Sequence, residues 1–252
     1  MKQQTIIENQ FGNTANAYLT SSVHAQGQDL LAIKKIADQF SNGNILDIGC
    51  GAGHVSYAVA PVAKQVIAYD LSEKMLTVVA NSAKERQLLN IKMQQGIAEK
   101  LPFENNAFDM VVTRFSAHHW SDVPAALAEI HRVLTPKGVA VIVDIVAPEI
   151  VLNDTILQTA ELLRDASHVR DYSVSEWQSM FNAAGFKVDH KDNWKLVMIF
   201  EEWIKRMQTP KVRVDAIRDV FDCAAQEVLD YFLLQKDYSF SIDAALFEVR
   251  KS

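Results

Sequence analysis

Ten residues, Asn44-Ile45-Leu46-Asp47-Ile48-Gly49-Cys50-Gly51-Ala52-Gly53, constrain the fold of this 252-residue chain more than any other stretch. A short apolar run rich in β-branched residues delivers an acid and then three glycines at alternate positions, and a helical pattern follows from His54. That order predicts a strand, a tight turn and a helix start, the nucleotide-binding corner of a doubly wound α/β sheet. Glycine suits the turn because a Cβ would hinder a sharp bend and keep a ligand from the backbone.

The spacing narrows the ligand. The dinucleotide fingerprint G-x-G-x-x-G/A would need a small residue at position 54, where this chain has His54, and its third glycine stands at Gly53 instead. Asp47, just ahead of the first glycine, suits a ligand carrying an ammonium or sulfonium better than a pyrophosphate. The next apolar run, residues 65–70, ends in Asp70, 21 positions past Gly49. A carboxylate at the tip of a second strand is where a ribose diol is held.

These residues, Asp47 to Gly53 followed by Asp70-Leu71-Ser72 and Met75, resemble the cofactor site of class I S-adenosylmethionine-dependent methyltransferases. Gly96-Ile97-Ala98-Glu99-Lys100-Leu101-Pro102-Phe103 and Phe108-Asp109-Met110-Val111-Val112 extend the likeness, which is closest to the ubiquinone and menaquinone C-methyltransferases and covers residues 10–150. The resemblance implies S-adenosylmethionine as cofactor and a small-molecule methyl acceptor. It also implies one domain with a seven-stranded, mostly parallel sheet of order 3-2-1-4-5-7-6, its last strand antiparallel, with helices on both faces. Residues 1–28 are then an N-terminal helical lid, 29–147 the cofactor core, and 148–252 the substrate-side helices and terminal hairpin.

Within that frame the cofactor-binding candidates are Tyr18, Asp47, Gly49, Gly51, Gly53, Asp70, Leu71, Met75, Gly96, Ile97, Ala98, Glu99 and Arg114. Tyr18 belongs by likeness near the methionine part of the cofactor, and Met75 in the adenine pocket. Many relatives carry an acid where Ile97 stands, so here backbone groups at Ile97 and Ala98 and apolar contact are expected to hold the base. Arg114 suits either the cofactor's carboxylate or an acidic or carbonyl group of the acceptor.

The fourth predicted strand, residues 108–113, opens into Arg114-Phe115-Ser116-Ala117-His118-His119-Trp120, at the sheet end where ligands collect. His119, and next to it His118, are the candidate bases, because imidazole titrates near neutrality. Adjacent histidines without a spaced third ligand argue against a metal. His168, Arg170 and Tyr172 lie where relatives build the acceptor pocket. Further elements expected are helices over 28–40, 54–63, 73–86 and 122–134, a turn at 135–138, and strands over 139–146 and 186–200. One long helix over 212–234 and a last strand over 238–250 complete the reading.

Composition excludes other classes. A formal charge of −6 with no dense Lys/Arg block disfavours a nucleic-acid partner, as does the lack of an Asn/Asp-Pro-Pro-Tyr segment after the fourth strand. No apolar run has the length of a membrane span. Two distant cysteines and a polar N-terminus suit a cytoplasmic protein without disulfides. The alternatives are an NAD-linked oxidoreductase on a similar sheet and a non-catalytic protein that binds S-adenosylmethionine.

Overall fold

The computed structural model of the protein describes residues 2–8, 10 and 27–252. One mixed sheet organises it. β1 (Asn44–Ile48) lies parallel between β2 (Gln65–Asp70) and β4 (Phe108–Arg114), β3 (Ile91–Gln95) flanks β2, and β5 (Leu134–Ala147) flanks β4. β8 (Phe240–Lys251) runs antiparallel to both β5 and the outermost β7 (Phe186–Met198). The spatial order is β3-β2-β1-β4-β5-β8-β7. This is the expected order, with the two-residue β6 (Tyr172–Ser173) added beside the end of β5.

Parallel strands covered on both sides need apolar residues on both faces. β1, β4 and β5 satisfy this: Ile45, Leu46, Met110, Val111, Val141 and Ile142 are all buried. The crossovers between them are amphipathic helices. α1 (Gln28–Asp38) and α2 (His54–Val59) lie on one face, α3 (Glu73–Glu85) covers β2 and β3, and α4 (Val123–Val133) joins β4 to β5. Ser72 accepts the Met75 N–H at 3.3 Å to start α3, and Asp122 accepts the Ala125 N–H at 3.0 Å to start α4.

Beyond β5 come α5 (Val151–Arg164) and α6 (Val174–Ala183), the latter opened by a reciprocal Ser173–Glu176 capping box. Between β7 and β8 stand α7 (Phe200–Arg206), α8 (Lys211–Asp222) and α9 (Gln226–Phe232). The single helix expected over 212–234 is thus two, and α7 was not foreseen. The break at 223–225 contains no glycine or proline. The turn lets Phe221 and Phe232 both bury in the cluster around Trp203 and Phe240. That packing overrides the helical preference of Ala224 and Ala225.

Residues 135–138 form no separate turn but belong to β5, with the register slipping between Phe108 and Met110 on β4. Pro136 is tolerated there because the pairing is irregular. Among the described residues no helix is long and apolar enough to cross a membrane.

Candidate active site

The glycine corner bends as its spacing predicts. Gly49, Gly51 and Gly53 have φ of 65°, 50° and 86°, the left-handed region where other residues are strained. The Gly49 and Cys50 N–H groups donate to the Tyr69 carbonyl at 2.8 and 3.1 Å, closing the loop onto β2. A Cβ on Gly49 would stand 1.8 Å from Ser116 Oγ, whereas one on Gly51 would meet, beyond its chain neighbours, no atom of the described residues within 4 Å. Gly51 lines a cleft of about 1090 Å³, open solvent included, so its missing side chain leaves room for a ligand to approach the backbone. By this test the corner fits a nucleoside laid against bare backbone.

Asp70 accepts the Gly51 N–H at 2.9 Å and the Ser72 N–H at 2.8 Å, one on each oxygen. A carboxylate has about four lone-pair sites, so two remain for a diol. Asp70→Ala should weaken S-adenosylhomocysteine binding by about 1–3 kcal/mol, the scale of hydrogen bonds to a charged group. Calorimetry giving an unchanged affinity would remove Asp70 from the site.

Leu71, Met75, Gly96, Ile97, Ala98 and Glu99 line the cleft beyond Asp70. The Ile97 carbonyl already accepts from Tyr69 Oη at 3.1 Å and from the Lys100 N–H at 3.2 Å. Both its lone pairs are therefore taken by protein donors. Ile97 is bridged to Lys100, and Ile97 and Ala98 line this end of the cleft. Glu99 accepts the Ser121 N–H at 2.8 Å and ties the far wall to the rim.

Asp47 is buried at the cleft floor and accepts from both the N–H and the hydroxyl of Ser56, at 3.0 and 2.6 Å. Burial pushes its carboxyl up to about 7 against those two bonds, with Asp70 adding to the rise and Arg114 opposing it. The folded value lies above the unfolded 3.8, so this group's stabilisation, complete below 3.8, is lost as pH rises through about 7. Asp47→Asn should therefore raise the melting temperature of the ligand-free protein more at pH 8 than at pH 5. The same variant should bind a cationic ligand more weakly. A melting difference independent of pH contradicts the buried-charge assignment.

Arg114, at the end of β4, donates through Nε to Asp29 of α1, and both side chains are buried. It lines the cleft with its charge partly compensated. Phe115 follows at φ 51°, a left-handed conformation that costs a non-glycine residue roughly 1–2 kcal/mol. The kink turns the chain out of β4 into the single turn Ala117–His119. Trp120 Nε1 closes that turn on Ser116 Oγ at 3.2 Å.

The two histidines part company here. His119 lines the cofactor cleft, and its Nδ1 lies 3.1 Å from the Ser167 carbonyl, which only accepts; Nδ1 therefore carries the proton and Nε2 the lone pair. Burial and the neighbouring His118 push His119 down to about 4. His118 Nδ1 meets Asp144 Oδ1 at 2.6 Å. Burial opposes its charge, but the Asp144 carboxylate outweighs that and holds the imidazole protonated up to about 9.

A second cavity opens behind the first, and Phe115 and His119 line both. Its walls are apolar at Ile145, Leu196, Met198 and Trp203 and polar at His118, Glu161, Arg164, Asp165 and Asp171. His168, Arg170 and Tyr172 line neither cavity. His168 Nε2 donates to Gln158 Oε1 at 3.0 Å, and Arg170 pairs with Asp154 and Glu176 beside the Tyr172 ring. They shape the loop that delivers Asp171. Tyr18 lies outside the described residues, while Gln4 and Ile7, within the expected lid, line the cofactor cleft.

Sequence reasoning passed over Asp144, Asp171, Glu161 and Trp203. Asp144 had a visible signal, a lone carboxylate inside the apolar run Val141-Ile142-Val143-Asp144-Ile145-Val146. Asp171 had none.

A family model described as "Methyltransferase domain" matches residues 46–142. "Uncharacterized protein YafE" of Escherichia coli is 46% identical over 204 residues, 81% of this chain and 99% of that protein. "Uncharacterized methyltransferase YcgJ" of Bacillus subtilis is 38% identical over 227 residues, 90% of each. Its crystal structure aligns with a TM-score of 0.81 at 34% identity, over 88% of this chain and 99% of that one. With the glycine corner, Asp70 and the sheet order, these likenesses define the class: the chain belongs to the class I S-adenosylmethionine-dependent methyltransferases. Within that class it resembles the ubiquinone/menaquinone-biosynthesis group. "Demethylmenaquinone methyltransferase" of Chlorobaculum tepidum is 30% identical over 156 residues, 58% of this chain and 62% of that protein. Membership sets aside the NAD-linked reading of the same corner.

Proposed function

We propose that this methyltransferase acts on a ring carbon or ring oxygen of a small molecule lodged in the second cavity. The carrying observation is that the two cavities meet at Phe115 and His119. A nucleophile held against that shared wall faces the cofactor cleft. When bound there, S-adenosylmethionine supplies a methyl group already activated on a sulfonium. The chain's own task is then to align the nucleophile and exclude water. The side-chain-free face of the glycine corner and the carboxylate of Asp70 fix the nucleoside, and Asp47 and Arg114 face its charged end.

His119 takes the acceptor's proton at Nε2, with Nδ1 anchored on the Ser167 carbonyl. His118, tied to Asp144, is the second imidazole of the acceptor site. The apolar wall and polar end together suit an amphipathic ring compound, in keeping with the relative whose name specifies demethylmenaquinone. The charge of −6 does not suit a nucleic-acid acceptor.

Mass spectrometry of a metabolite extract incubated with enzyme and S-adenosylmethionine should reveal a hydroxylated ring compound heavier by one CH₂, with S-adenosylhomocysteine formed in step. Methylation confined to amines or to nucleic acid would contradict the assignment. A pocket that binds the cofactor without turnover over a broad panel would favour a non-catalytic binding protein.

A further inference from the structure

Asp171 is 2% exposed, and its Oδ2 has no hydrogen-bond partner among the described residues. A buried carboxyl oxygen in that state is costly, and in native proteins it points to an ion or another ligand. The side chain is aimed by its backbone. Gln158 accepts the Asp171 N–H at 3.1 Å and donates to the Asp171 carbonyl at 2.8 Å. One step earlier, the Val169 and Arg170 N–H groups both donate to the His118 carbonyl, at 2.8 and 3.2 Å. The loop before β6 is thereby fastened to the turn after β4.

Facing Asp171 are His118 and Asp144. The Asp144 carboxylate is buried and takes His118 at two points, Nδ1 at 2.6 Å and the backbone N–H at 3.2 Å. One ligand atom from each of His118, Asp144 and Asp171 lies within 4.8 Å of the others. Donor atoms about a tetrahedral Zn²⁺, with bonds of roughly 2.0–2.2 Å, stand about 3.3–3.6 Å apart, so closing the set takes about an ångström of side-chain movement. Without a cation, the His118–Asp144 contact accounts for two members of the group through a proton that a bound metal would displace. It does nothing for Asp171 Oδ2.

The geometry points to a divalent-cation site built by His118, Asp144 and Asp171, opening into the second cavity. One imidazole and two carboxylates form a mixed N/O donor set, which suits Mn²⁺ or Zn²⁺ better than Mg²⁺, whose preference is for oxygen and retained water. His118 and Asp171 both line the cavity, so the coordination positions not filled by protein face the space assigned to the acceptor. Glu161, Asp165 and Arg164 stand on the same wall, and Arg164 is paired with Glu161. The site uses none of the cofactor-binding residues. It can be tested without cofactor or acceptor, so its failure leaves the methyl-transfer reading untouched.

The test is calorimetry of chelator-treated full-length protein with MnCl₂ and with ZnCl₂, on wild type, Asp171→Asn and Asp144→Asn. S-adenosylhomocysteine binding serves as the control for an intact fold. Wild type should bind one equivalent of Mn²⁺ and bind Zn²⁺ more tightly. Each variant should lose about a hundredfold or more in cation affinity, since even a supporting partner is worth 10–100-fold. Pulsed electron paramagnetic resonance on the Mn²⁺-loaded wild type should show coupling to a single imidazole nitrogen. Equal cation affinity in wild type and folded Asp171→Asn, or a wild-type Mn²⁺ spectrum without nitrogen coupling, overturns the site.

Discussion

Gly51→Val should lower S-adenosylmethionine affinity by about a hundredfold or more, roughly 2.7 kcal/mol, while the protein still folds. A Cβ at Gly51 meets no described residue within 4 Å beyond its chain neighbours, so the new side chain points into the cleft. The folded state bears the strain of a β-branched residue at φ 50°, of order 1–3 kcal/mol, which is a few degrees of melting temperature at this chain length. Gly49→Ala makes the contrast. Its Cβ would sit 1.8 Å from Ser116 Oγ at φ 65°, so the Phe115–Trp120 turn must move and stability should fall together with binding. Calorimetry and thermal melts of the two variants separate ligand approach from loop packing. Wild-type affinity in Gly51→Val would mean that the nucleoside lies elsewhere.

His119→Ala should cut turnover by about 10²–10⁴-fold, the usual worth of a positioned acid–base group, and leave S-adenosylhomocysteine affinity within about threefold. The imidazole stands on the wall common to both cavities, and its Nδ1 is fixed by the Ser167 carbonyl. The proposed cofactor contacts are mainly the glycine corner and Asp70, which the substitution leaves alone. The readout is S-adenosylhomocysteine release with the ring compound that the extract assay yields. A matched loss of affinity and turnover would make His119 a packing residue of the cleft.

The first half of the fold was legible because its signals are local. Alternating glycines after an apolar run, an acid closing the next run, and helical periodicity from 73 to 86 each need only a dozen residues to be read. The chain beyond 147 was harder. Nothing between Val212 and Leu234 breaks a helix, and the turn at 223–225 exists because Phe221 and Phe232 share one cluster with Phe240.

The site divides in the same way. Asp47, Gly49, Gly51 and Asp70 lie together in sequence and in space. The second cavity and the carboxylates beside it are assembled from the turn after β4, β5, α5 and the loop before β6, with β7, α7 and β8 supplying apolar walls. Arg170 stood with His168 and Tyr172 among the acceptor-pocket candidates, yet its charge is spent on Asp154 and Glu176. Its neighbour Asp171 faces the cavity instead. Which of two adjacent side chains turns inward depends on Gln158 and His118, far away in the chain.

A crystal structure with S-adenosylhomocysteine tests the account at its root. The expected density places the ribose hydroxyls on Asp70, the backbone of Gly51 against the nucleoside, and the sulfur toward Phe115 and His119. A nucleoside seated in the second cavity, or with its sulfur turned away from His119, contradicts it.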